Sequence, residues 1–296
     1  MYILLLITTI GYAIQSIIVK AFSKYFCKSV SNRFSFFFIA FTVAFLTLTL
    51  TRPAVSSVSG ATLIYGGLFG ALFVISIYIY SVAMSLGNAG TTSLIMSTGV
   101  IIPIAIGTIF FNEPITWLKL LGFILIMTAC GLIGSDNSSG NGTSKNRKKW
   151  FIYSLGSTFT NGALLTFSKM HQVTVPGKDQ KEFIWIAMGI AAIVCFIILK
   201  GVLKSEHVSL SDSFIPLNKV KYLFMEIGLA LSICIPNLTL LMVVSRLPSI
   251  IVFPVSNTGS LIIVTLASLF IFKEKLSVKG YAGMFAGMLA IMILNF

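Results

Sequence analysis

The chain has 296 residues, 56% of them hydrophobic and only 10% charged, with a formal net charge of +13. Soluble domains place charge at about a quarter of their positions, so this composition excludes a water-soluble core and points to a bilayer. The positive balance does not mark a nucleic-acid binder, because the basic residues fall in the loops between apolar runs.

Runs of about 20 apolar residues, the length that crosses a bilayer, occur at roughly 2–22, 31–51, 61–84, 90–111, 115–134, 150–171, 183–203, 221–245, 248–272 and 276–295. The first run lacks a basic leader and a small-x-small cleavage site, so it reads as a span rather than a signal peptide. It carries Thr8, Tyr12 and Gln15 at helical spacing, which gives one polar face. Lys20, near its end, is expected to snorkel to the interface. Arg33 opens the second run. The third carries Tyr78 and Tyr80, two apart on a helix, so only one can face a shared cavity; Tyr78 is preferred as a flat wall for an organic ligand. The fourth carries Ala89, Gly90, Ser93, Ser97 and Thr98 ahead of Pro103, where a missing backbone N–H exposes a carbonyl and bends the helix.

A turn, Phe111-Asn112-Glu113-Pro114-Ile115-Thr116, leads into the fifth run with Gly122. Residues 135–149 form a Gly/Ser/Asn-rich linker ending in Lys145-Asn146-Arg147-Lys148-Lys149 and divide the chain near its midpoint. Asn137 and Asn141 begin glycosylation-type triplets there, which linker composition alone explains. The sixth run offers Ser154, Thr158 and Asn161 on one face, with Asn161 at the position matching Tyr12. Lys169 near its end matches Lys20, and Thr158 matches Thr9 at the same spacing.

The eighth run contains Glu226 within an otherwise apolar stretch, and then Pro236-Asn237. A carboxylate in apolar surroundings binds a proton more readily, which makes Glu226 the proton-coupling candidate. The ninth run carries Ser256, Asn257, Thr258 and Ser260 after Pro254. Next comes Phe272-Lys273-Glu274-Lys275-Leu276-Ser277, leading into a tenth run with Gly283. This turn repeats the earlier one: an acid, a hydroxyl three residues on, and a glycine nine after the acid. Glu113 and Glu274 are expected to cap the following helix or to pair with Lys119 or Lys279.

Numbering the loops by the runs they join, the odd loops hold Lys24, Lys28, Arg33, Lys145, Arg147, Lys148, Lys149, Lys200, Lys204, Lys219, Lys221, Lys273, Lys275 and Lys279. The even loops hold Arg52, Lys119, Lys178, Lys181 and Arg246. Under the positive-inside rule the odd loops are cytoplasmic and both termini face outward. With five runs in each half, equivalent runs cross in opposite directions, the inverted-topology arrangement.

The duplicated Glu113/Thr116/Gly122 and Glu274/Ser277/Gly283 patterns, Arg33, and the small residues of the fourth run resemble the drug/metabolite transporter superfamily, in its ten-span form with two EamA-type repeats. The expected fold is all-α and integral to the membrane: repeat one at 1–134, the linker at 135–149, and repeat two at 150–296. The resemblance implies a cavity between the halves, a secondary transporter working by alternating access, and a plasma (inner) membrane of bacterial type. Substrate-binding candidates are Tyr12, Gln15, Tyr78, Ser97, Asn161, Asn237 and Asn257, with Glu226 for proton coupling. The ninth run lacks the basic residue that phosphate-handling relatives bring to the cavity, and the first lacks the acid of the small multidrug relatives. A sugar-phosphate or nucleotide-sugar exchanger is the alternative within the superfamily. The rival class is a membrane acyltransferase using His207 and Asp212. Cys27, Cys130, Cys195 and Cys234 lie far apart and suggest no metal cluster, and no cofactor is indicated. The expected partners are a small-molecule substrate and membrane lipid, without nucleic acid.

Overall fold

The structure, a computed structural model, describes residues 2–51, 58–111, 116–135, 144–176, 178–213, 220–244 and 249–294. Among them there are helices and turns but no strand. The helices are α1 (Tyr2–Tyr25), α2 (Val30–Leu50), α3 (Gly60–Leu86), α4 (Ala89–Ser97), α5 (Ile101–Phe111), α6 (Trp117–Ser135), α7 (Ser144–Thr174), α8 (Gln180–Glu206), the one-turn α9 (Leu210–Ser213), α10 (Val220–Val244), α11 (Ser249–Phe270) and α12 (Val278–Leu294). A 3-10 turn, Thr98–Val100, joins α4 to α5. Glu113 lies outside the described residues, as do Asn137 and Asn141.

Six segments are long and apolar enough to cross a membrane: Tyr2–Tyr25, Val30–Leu50, Gly60–Leu86, Ala89–Ile106, Gln180–Glu206 and Tyr222–Leu240. Leu120–Ile133, Ser256–Phe270 and Val278–Ile293 are shorter apolar helices. Within α7, the basic end of the expected linker is already helical from Ser144, so Arg147 to Lys149 project from a helix, not from a loop.

Local chemistry explains the helix starts. Ser29 and Ser59 adopt extended backbone and accept from the N–H groups of Asn32 and Thr62, satisfying donors that the first turn leaves orphaned. Inside the helices, Thr8, Thr9, Thr42 and Thr47 bond to carbonyls one turn back, at 2.8–2.9 Å. A hydroxyl facing hydrocarbon is thereby satisfied within its own helix. Large apolar side chains such as Leu6, Ile64, Ile197 and Phe285 are exposed, as a lipid-facing surface requires.

The packing is reciprocal between the halves. Helix α1 packs on α10 and α11, while α7 packs on α3 and on α4 and α5; α2 packs on α8, and α6 on α12. Close approach at the α4–α5 break depends on glycine: a Cβ on Gly99 would lie 2.5 Å from the Thr158 carbonyl oxygen and 2.9 Å from the Gly162 nitrogen. One end of the bundle is closed by aromatic packing. Phe22 stacks on Phe36 at 3.9 Å, and Phe36 and Tyr222 lie 5.6 Å apart.

Candidate functional site

An internal proline in α10 and the 3-10 interruption between α4 and α5 each lie beside neutral polar side chains. In α10, which runs helical through Pro236, the proline lacks the N–H that would bond the carbonyl four residues back, and the next residue, Asn237, donates its side-chain amide to the Ile233 carbonyl at 2.6 Å. Its other amide atom accepts from the Tyr12 hydroxyl at 3.2 Å, while the Thr8 and Thr239 hydroxyls meet at 2.7 Å. Gly11 faces the Pro236 ring, which a Cβ would strike, so α10 can lie close against α1. The result is a half-buried seam of neutral hydroxyl and amide groups between α1 and α10.

Between α4 and α5 the helix is interrupted by the 3-10 turn. Ile95 O there accepts from the Thr98 hydroxyl and from Thr158 on α7, each at 2.6 Å, and Met96 O accepts from Asn161 on α7 at 3.3 Å. Ser97 donates to Ser93 O at 2.9 Å, within its own helix. Thus Tyr12 and Asn161, matched in the sequence, each reach across to an irregular helix of the other half, Tyr12 to the proline-bearing α10 and Asn161 to the interrupted α4. Gln15 is half-buried on α1; Asn257 is half-buried on α11, where its carbonyl accepts from Ser260 at 2.9 Å.

Tyr78 lies elsewhere. Its ring stacks on Phe34 at 5.0 Å and borders a separate cavity near the α1–α2 turn. Tyr80 is the tyrosine that points inward, buried and bonded to Ser93 at 2.7 Å. Glu226 is fully buried on α10, and neither carboxylate oxygen has a hydrogen-bond partner. The hydroxyl of Tyr222, one turn earlier, is likewise unpartnered.

Lys20 and Glu274 overturn two expectations. Lys20 does not snorkel: it is buried and forms a 2.6 Å ion pair with Glu274, their side chains 1% and 5% exposed. Its ammonium also donates to Met84 O at 2.8 Å and Gly87 O at 2.5 Å, the carbonyl end of α3. Glu274 does not cap its own following helix. It accepts from Ala89 N at 2.8 Å, the first residue of α4, and from the Ser268 hydroxyl at 2.5 Å. A cation therefore sits at a helix C-terminus and an anion at the next N-terminus, each on the favourable pole, and the pair ties α1, the α3–α4 turn and the α11–α12 turn together. The adjacent Trp150 indole donates to Thr92 at 2.8 Å and packs against Gly87, where a side chain would collide with it. Sequence reasoning missed this pair because its members lie at opposite ends of the chain.

The other end of the bundle has its own clasp. Asp179, in left-handed backbone before α8, accepts from Ser59 N at 2.9 Å and from the Thr62 hydroxyl at 3.1 Å. Thr62 also meets His171 Nε2 at 3.0 Å. The backbone amide of Ser59 is the main cause holding the Asp179 carboxyl below the usual carboxylate range. Among the described residues no cluster of three or more His, Cys, Asp or Glu could hold a metal. His207 ends α8 in left-handed backbone, and the Asp212 side chain lies outside the described residues.

Residues 1–135 match the family model for EamA-like transporters. No curated protein matches the chain. A solved structure described only as a crystal structure of a protein is similar in fold, with a TM-score of 0.61 at 14% identity, covering 99% of this chain and 97% of that one.

Proposed function

We propose that this chain, which belongs to the drug/metabolite transporter superfamily through its EamA-like first half, is a secondary carrier that moves a small neutral or zwitterionic organic solute by alternating access. The observation that carries the reading is the gathering of neutral polar groups at two irregular places, beside Pro236 of α10, where the Tyr12 hydroxyl meets Asn237, and at the α4–α5 interruption, where Asn161 meets Met96 O. Irregular backbone within a membrane occurs where it lines a site, and there it offers a substrate amides, hydroxyls and carbonyls together. Tyr12, Gln15, Ser97, Asn161, Asn237 and Asn257 are the side chains we assign to the substrate. Tyr78 borders the separate cavity and is not among them.

The reciprocal packing of α1 on α10 and α11, and of α7 on α3, α4 and α5, supports a ten-span chain built of two inverted five-helix repeats. In that arrangement the halves rock about the polar seam. The Lys20–Glu274 pair and the aromatic cluster around Phe22 hold one end shut, and the Asp179 clasp lies at the other.

Glu226 is the proposed proton carrier. Burying a lone carboxylate charge costs several kcal/mol on any solvation scale, so a proton accompanies this group whenever no other cation does. Purified protein in liposomes tests both parts, with a panel of labelled neutral amino acids, sugars and nucleosides. Saturable uptake of at least one of them, driven by a pH gradient in the wild type and indifferent to it in Glu226→Gln, is expected. Non-saturating flux at channel rates would sink the carrier reading, and unchanged pH dependence in Glu226→Gln would remove that residue's role.

A further inference from the structure

A cavity of about 300 Å³ lies away from the Tyr12–Asn237 seam and is lined by Cys27, Lys28, Ser29, Arg33, Tyr78 and Tyr153, with Val30 and Val82. It is bounded by the α1–α2 turn, the last turns of α3 and the start of α7, at the end of the bundle where the odd loops concentrate their basic residues.

Arg33 gives the cavity its chemistry. The residue is only 9% exposed, and its guanidinium donates to the Ser81 hydroxyl. Among the described residues no carboxylate lies within 4.0 Å of it. A guanidinium carries a positive charge and five donors, so the Ser81 hydroxyl and the neighbouring Cys27 sulfur leave the charge and several donors uncompensated. Buried charges in folded proteins are paired, because leaving one alone costs several kcal/mol. The acid that approaches this turn, Glu206, spends its two oxygens on the Val30 and Ser31 amides, at 3.2 and 3.4 Å. Ser29 likewise caps α2 with its own hydroxyl. The helix N-terminus is therefore already satisfied, and what lacks an anionic partner among the described residues is the arginine.

Lys28, exposed at the cavity mouth, adds a second cation. Tyr78, held flat against Phe34, and Tyr153 from α7 supply rings and hydroxyls. We propose that this cavity binds a phosphoryl group, its oxygens on the Arg33 fork and the Lys28 ammonium. The planar guanidinium matches phosphate geometry in a bidentate way that a point charge does not. The volume sits at the small end of the roughly 300–1,000 Å³ range of ligand pockets, which leaves room for a phosphate and a small attached group. The phosphate comes either from an anionic lipid headgroup, which the basic end of the bundle would meet at the membrane surface, or from a soluble phosphate.

Cys27 lines the cavity and is half-buried, so its alkylation rate reports occupancy. The full-length protein in detergent is treated with N-ethylmaleimide, and labelling is resolved by peptide mass spectrometry, with the half-buried Cys130 as internal reference. One arm compares inorganic phosphate with chloride at matched ionic strength. The other compares dioctanoyl phosphatidylglycerol with dioctanoyl phosphatidylcholine. The expected result is saturable protection of Cys27, reaching about tenfold at ligand roughly ten times its Kd, with Cys130 unaffected and protection lost in Lys28→Gln and Arg33→Gln. Protection by phosphatidylglycerol alone assigns the lipid headgroup, and protection by phosphate alone assigns a soluble ligand. If Arg33→Gln does not fold, the exposed Lys28→Gln carries the test. No protection in either arm, protection that phosphatidylcholine equals, or protection that survives the substitutions would overturn the proposal.

Discussion

Replacing Glu274 with glutamine isolates the charge of the buried pair. Glutamine keeps a carbonyl oxygen for the Ala89 N–H and the Ser268 hydroxyl, so the substitution removes little but the carboxylate opposite Lys20. Lys20 is then a buried cation held only by the carbonyls of Met84 and Gly87. Removing one partner of a buried ion pair typically costs about 3–5 kcal/mol, since the survivor stays desolvated and unpaired. Using the soluble-protein yardstick of roughly 2–4 °C per kcal/mol, the Tm in detergent should fall by some 6–20 °C. The double variant Lys20→Met/Glu274→Gln leaves no stranded charge and should recover a large part of that loss. Thermal unfolding followed by tryptophan fluorescence measures all three proteins. A drop below about 3 °C in Glu274→Gln, by the same yardstick, or a double variant no more stable than Glu274→Gln alone, would refute the reasoning.

At the α4–α5 break, Gly99→Ala pushes a methyl into the backbone of Thr158 and Gly162, which cannot yield, and should destabilise by about 1–3 kcal/mol; Gly67→Ala, with open space around it, should leave the Tm unchanged or raise it. Asp179 is held below the usual carboxylate range, so its contribution is complete above the ordinary carboxylate pKa of about 4 and is lost as pH falls through its lower folded value. The Tm of Asp179→Asn should therefore lie below wild type at neutral pH, with the gap closing at strongly acidic pH; a gap that persists unchanged to acid would show that the clasp does not depend on the charge.

Much of the fold was written locally. Among the described residues the apolar runs fall on helices, six of them long and apolar enough to cross a membrane, because a bilayer demands long apolar helices and the chain supplies little else. The α4–α5 interruption was legible too, since Pro103 lies just past the 3-10 turn, whereas α10 runs helical through Pro236. What the local pattern could not carry was partnership. Lys20 looked like a snorkelling end residue because nothing in its neighbourhood shows that Glu274 folds against it. Glu274 looked like the cap of α12, yet it serves α4, a choice made by how the halves dock. Tyr78 and Tyr80 were known to point apart, but which faced inward depended on α2 and α4: Phe34 takes the first ring and Ser93 the second hydroxyl.

The central claim is a carrier whose substrate sits at the polar seam between α1 and α10. Trans-stimulation in proteoliposomes tests it most directly: labelled solute is supplied outside while unlabelled solute is loaded inside. An alternating-access carrier should take up label faster into loaded than into empty vesicles, and Asn237→Ala, which removes the partner of the Tyr12 hydroxyl, should lose that acceleration while still inserting and folding. Uptake that is equally fast into empty vesicles, or acceleration untouched in Asn237→Ala, would contradict the account.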